Sequence, residues 1–160
     1  MTLPKKIKKF PVELIADYFI WRSNKEKKPI TNKKLQKLLY YSQAWNMAIN
    51  EHPLFKDKIE AWVHGPAVRS IYIDFRSFGY EPIKKDILTK NIEKINKKAR
   101  ELLDEIWEVY GKHDAQYLEF LTHSEEPWQE ARQGIGTSEA SDNEISLDKM
   151  KSYYSGLLKK

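Results

Sequence analysis

The chain has 160 residues, 41% hydrophobic and 12% aromatic, with a formal net charge of +5 and no cysteine. That is enough apolar material for one real core and too little chain for two comfortable domains. The missing cysteines exclude disulfides, thiolate nucleophiles and cysteine-based zinc or iron–sulfur sites. Nothing in the basic opening "MTLPKKIKKF" leads into the apolar run of a signal peptide, because Asp17 and Arg22 interrupt the next stretch. No run is apolar and long enough to cross a bilayer, so the reading is a cytoplasmic protein without a membrane.

The charge is segregated. Residues 1–37 carry a net of +8, residues 38–100 a net of +4, residues 101–148 a net of −11, and residues 149–160 a net of +4. An acidic block of that size can steer a basic partner, and the basic end can meet an acidic surface or a phosphate. The plainer alternative is that the two blocks face each other within the fold or are simply solvated.

Periodicity predicts a first helix from Pro11 to about Asn24, with Val12, Ile15 and Phe19 on one face. Thr31 is placed to cap a second helix from Asn32 to about Asn50. Its stripe runs Leu35, Leu38, Leu39, Ser42, Trp45, Ile49, and its second half is apolar nearly all round, as in a central buried helix. Ile59 to Val63 has the β-branched and aromatic character of a short strand. In "EAWVHGPAVRSIYIDF" that strand meets Gly65 and Pro66, and the pattern predicts a sharp turn into a helix with Pro66 at its first position, ending at Gly79. A second short strand is expected near Ile83. Thr89 to Tyr110 reads as one helix stopped by Gly111, and Asp114 caps a shorter one bearing Tyr117, Leu118 and Leu121. "SEEPWQEARQG" reads as one or two helical turns, 135–145 as a flexible loop, and Ser146 as the cap of a last helix through Tyr154. The expected fold is mainly α: one compact domain over 1–160 of about six or seven helices, with at most a small two-stranded β element and a mobile basic segment at 1–10.

Catalytic patterns are missing. A phosphate loop needs several glycines whose N–H groups converge; here Gly65 stands alone, followed by Pro66, which has no N–H. His52, His64, His113 and His123 form neither H-x-x-x-H nor H-E-x-x-H, and no G-x-S-x-G occurs. Pairs such as Asp104/Glu108 lie on the polar face of an amphipathic helix. One local rule is broken: Lys33, Lys34 and Lys37 crowd the start of the second helix, where cations oppose the macrodipole. Such violations concentrate at functional sites. A helix-turn-helix is disfavoured, because roughly fifteen residues, with a possible strand, separate the helices on either side of the Gly65-Pro66 turn, where the motif needs a tight turn.

"TNKKLQKLLYYSQAWNMAINEHPLF", then "IEAWVHGPAVRSIYIDFRSFG", then "LTHSEEPWQEAR" resemble, in that order, the Panacea antitoxin domain family, a group of small bacterial proteins associated with phages and mobile elements. The resemblance covers about Leu14 to Tyr154. It implies a helical, non-enzymatic domain that binds and neutralises a toxin protein encoded nearby by direct contact, without a cofactor, and that extends in one member to a cellular protease as a further partner. The alternative is a phage or mobile-element regulator that binds DNA. Leu35, Leu38, Trp62, Gly65, Pro66, Tyr72 and Trp128 are expected as scaffold. Partner choice is expected on exposed positions around them, at Lys33, Lys37, Tyr41, His64, Arg69 and Arg76, and on the 101–148 acidic face.

Overall fold

The computed structural model describes residues 8–159, and its fold is mainly α. The order is α1 (Val12–Glu26), α2 (Asn32–Asn50), β1 (Glu60–Trp62), β2 (Gly65–Ala67), α3 (Arg69–Phe75), α4 (Thr89–Ile92), α5 (Lys97–Tyr110), α6 (Ala115–His123), α7 (Glu126–Ala131) and α8 (Leu147–Leu158). Most of the basic segment 1–10 lies outside the described residues. Phe10 is inside them, with its ring buried and its N–H donating to the Leu54 carbonyl at 2.8 Å.

α2 is the axis of the molecule. The Thr31 hydroxyl caps it by accepting the Lys34 N–H, and α8, α5, α6, α1 and β2 all pack on it. Leu35, Leu38, Leu39, Tyr41 and Ala44 are wholly buried, as in a central helix covered by several neighbours. Asp114 and Ser146 cap α6 and α8 as their sequence positions predict.

The long helix expected over 89–110 is two. α4 stops at Ile92, and Asn96 opens α5 by accepting the Ala99 N–H at 2.9 Å. The Gly-Pro turn also differs from expectation. Instead of starting a helix, Pro66 sits in β2, paired antiparallel with β1 in the register Glu60↔Ala67, Ala61↔Pro66, Trp62↔Gly65. The proline is tolerated because Ala61 faces away from it. The Ala61 N–H donates to the Asn143 carbonyl at 2.8 Å, and its carbonyl accepts from Arg132 at 2.9 Å. Near Ile83 there is a single bridge, Thr31↔Pro82, rather than a strand.

Segment 135–145 has no regular structure but is tied at both ends. Ile145 donates to the Ile59 carbonyl, and Glu144 bridges Glu60. Arg132, only 4% exposed, donates to the carbonyls of Ala61, Gly136 and Glu139 and lies 5.3 Å from the Trp128 ring. Arg132→Met keeps the stem and removes those donors. The expected outcome is a loss of about 1–3 kcal/mol with faster amide exchange between residues 136 and 144, measured by mass spectrometry.

The charge blocks meet within the fold. Arg22 on α1 pairs with Asp104 and Glu108 on α5 as well as with Glu26, and Lys149 reaches Glu126 and Glu130. The 101–148 face is therefore partly neutralised from inside the molecule.

Candidate functional site

A groove of about 1000 Å³ opens between the first two turns of α2, the β hairpin, α3 with the 3-10 turn Arg76–Phe78 that follows it, and residues 140–142. Five of the six expected partner-contact residues line it: Lys33, Lys37, His64, Arg69 and Arg76. Each gets there by a different local cause.

Lys33 and His64 both reach Glu119 on α6, at 2.9 and 3.0 Å. Burial alone would raise the Glu119 carboxyl; the Lys33 hydrogen bond and charge outweigh it and hold the group below its usual range. Arg69 leaves α3 to pair with Glu60 at 2.7 Å, while the Trp62 indole donates to the same Glu60 oxygen at 2.9 Å. Glu60 is only 3% exposed; burial pushes it up, but these donors win and its carboxyl is held low. The Arg69 guanidinium also lies 5.1 Å from the Trp62 ring. Arg76 is exposed and forms no ion pair among the described residues.

Two expectations of exposure fail. Lys37 is 2% exposed, its stem lying against Gly65 and its amine donating to the Pro66 carbonyl at 3.1 Å. Burial, reinforced by Lys33 and opposed by Glu119, lowers its pKa to about 7. Tyr41 is fully buried and outside the groove. It stacks on Tyr110 at 3.9 Å, and its hydroxyl donates to Glu125 at 2.6 Å. Of the three lysines that oppose the helix dipole, Lys33 is thus turned onto the Glu119 carboxylate, and the other two onto main-chain oxygens. Lys34 donates to Gly111 at 2.5 Å much as Lys37 does to Pro66.

Of the scaffold residues, Leu35, Leu38, Gly65, Pro66 and Trp128 are buried. Tyr72 is not: at 36% exposure it stands edge-on to Trp62, 5.0 Å away, and forms a groove wall. Trp62 is fixed from behind, its carbonyl accepting from the Trp128 indole at 2.8 Å.

Sequence reasoning missed Asn32, Gln36 and Tyr80. The Asn32 amide donates to the Tyr72 carbonyl, Gln36 donates to Asn32, and the Val68 N–H donates back to Gln36. This chain fastens α3 and the hairpin to α2. The signal was two amides four residues apart, on one face of the helix. Tyr80 is 94% exposed at the groove rim. Among the described residues no three histidine or acidic side chains gather as a metal site.

A groove walled by fixed aromatics and ringed by cations, on a helical scaffold, is an arrangement suited to holding another molecule. The family described as Antitoxin SocA-like, Panacea domain, matches residues 35–129, from α2 to α7, and the chain belongs to this family. Antitoxin SocA of Caulobacter vibrioides (strain NA1000 / CB15N) is 31% identical over 121 residues, covering 69% of this chain. The chain spans 64% of the length of that relative. No solved structure matches it with comparable significance.

Proposed function

We infer that the chain is a non-enzymatic cytoplasmic antitoxin that binds a toxin protein encoded nearby and neutralises it by direct contact through the groove. The observation that carries this reading is the convergence of Lys33, Lys37, His64, Arg69 and Arg76 with Trp62, Tyr72 and Tyr80 on one concave surface. Arginine, tyrosine and tryptophan are the side chains that dominate protein–protein hot spots. Membership of an antitoxin-like family and likeness to a protein named Antitoxin SocA support it. No helix among the described residues is long and apolar enough to cross a membrane.

DNA binding is the weaker reading. A phosphate backbone wants uncompensated cations, and here Lys33 and Arg69 already face Glu119 and Glu60. Delivery of the toxin to a cellular protease is compatible with the same contact and adds a second partner.

The test is co-expression with the adjacent open reading frame. Growth restored by this chain supports neutralisation; a neighbour that is harmless, or still toxic, overturns the pairing. Charge reversal is cleanest at Arg76, where no ion pair among the described residues is disturbed. Arg76→Glu is expected to weaken the complex by about 10-fold or more, chiefly through slower association, with an unchanged melting curve. Wild-type affinity in that variant argues that the partner docks elsewhere.

A further inference from the structure

The floor of the groove holds a cation that the fold does not neutralise. Lys37 Nζ carries three N–H groups, and one donates to the Pro66 carbonyl. No carboxylate among the described residues lies within ion-pair distance of it. The acid that faces it from α6, Glu119, is already taken by Lys33 and His64. A buried ammonium with donors left over is an expensive arrangement unless an anion completes it. The surrounding walls are Trp62, Tyr72 and Ala67, with Tyr80 at the rim.

We propose that Lys37 is the floor of a subsite for one carboxylate, an aspartate or glutamate side chain of the protein partner inserted beside an apolar or aromatic neighbour. The identity of the occupant rests on the toxin-binding reading; the carboxylate subsite does not. A single carboxylate matches the single uncompensated charge at the floor. A phosphate dianion matches it less well, because its second charge meets no second unpaired cation at the floor and its oxygens are best met where backbone N–H groups converge. Pro66 has none, and the Val68 N–H is held by Gln36.

The subsite carries a pH signature. Lys37 loses its proton near pH 7 in the free protein because it is buried. An arriving carboxylate favours the charged amine, so binding takes up a proton. Affinity is then highest below pH 7 and falls as the amine deprotonates, about tenfold between pH 6 and pH 8 if only the ammonium binds. The other groups facing Lys37 are Lys33 on its own helix and Glu119 and His123 on α6; His64, Arg69 and Arg76 line the same groove.

The experiment titrates the purified protein with acetyl-tyrosyl-glutamyl-tyrosine amide, its glutaminyl counterpart and inorganic phosphate, read by tryptophan fluorescence at pH 6 and pH 8. The glutamyl peptide is expected to bind at least tenfold more tightly than the glutaminyl one at pH 6, to lose most of that preference at pH 8, and to lose it altogether in Lys37→Met. Equal binding of the two peptides, a preference that survives in Lys37→Met, or tighter competition by phosphate overturns the subsite. Should Lys37→Met fail to fold, the side-chain ammonium resonance of Lys37 in ¹⁵N-lysine protein decides. Its titration midpoint must rise with the glutamyl peptide, and an unmoved midpoint overturns the proposal. A neighbouring gene product that fails to bind overturns the toxin reading alone, whereas indifference to the glutamyl peptide overturns the subsite alone.

Discussion

Glu125→Ala is expected to destabilise the protein by about 3–5 kcal/mol, a fall in Tm of roughly 10 °C or more. Glu125 is 8% exposed, and one of its oxygens accepts from both the Tyr41 and Tyr154 hydroxyls, at 2.6 and 3.1 Å. Tyr154 is tied to Tyr40 at 2.9 Å in turn. Truncation leaves two buried hydroxyls short of an acceptor and opens a cavity between α2, α7 and α8. Glu125→Gln keeps an acceptor of the same shape and should lose much less. Its pH dependence is also specified. Burial raises the Glu125 carboxyl above its ordinary value, with the two tyrosines pulling it partly back. The folded state therefore holds the proton more readily than the unfolded chain. Its contribution is present below the unfolded midpoint, about 4.3, and is lost as pH rises through the folded midpoint. The stability difference between Glu125→Gln and wild type should move in favour of the glutamine as pH rises through that window. Urea melts at stepped pH read this directly; an opposite slope would mean the carboxylate is the stabilised form.

The second large effect is expected at Gly65. A Cβ there would sit 2.5 Å from the Lys37 Cε and 3.1 Å from the Thr122 hydroxyl, on a backbone with φ of +108°. Gly65→Ala combines that overlap with a conformation L residues avoid, and about 2–5 kcal/mol is the expected loss. The variant also displaces Lys37 from the groove floor. Thermal melts and partner binding should therefore fail together, in contrast to Arg76→Glu, where only binding suffers. A Gly65→Ala protein with a wild-type melting curve would mean that the hairpin relaxes away from α2 without penalty.

Features governed by near neighbours were legible in the sequence. Thr31, Asp114 and Ser146 cap the helices they were expected to cap, because a cap needs only residues three positions away. The apolar surround of α2 showed its central place. What escaped depends on distant chain. Lys37 reads as a surface cation until Pro66, 29 residues on, supplies its acceptor. Pro66 reads as a helix start until Asn143 and Arg132 take the hydrogen bonds of Ala61. Tyr41 and Tyr72 exchanged expected places for the same reason. One finds Glu125 at 84 residues' separation; the other stands on the open side of a short helix against Trp62. The groove itself was only half legible. Its cations stood out by charge, but nothing local said that α2, the hairpin and α3 bring them together.

The Tyr40–Tyr154 contact spans 114 residues and joins the central helix to α8. The face of α2 that α8 covers must stay uncovered while the intervening chain is synthesised, roughly six to twenty-three seconds at ordinary elongation rates. The residues that line the groove are all made before that moment, yet the helix that carries its floor is not fully enclosed until α8 arrives. A ribosome that stalls between the two leaves a nascent chain carrying the groove residues without the packing of α8 on α2. Enclosure of the helix that carries the groove floor is thus timed by translation through α8 rather than by the synthesis of the groove residues.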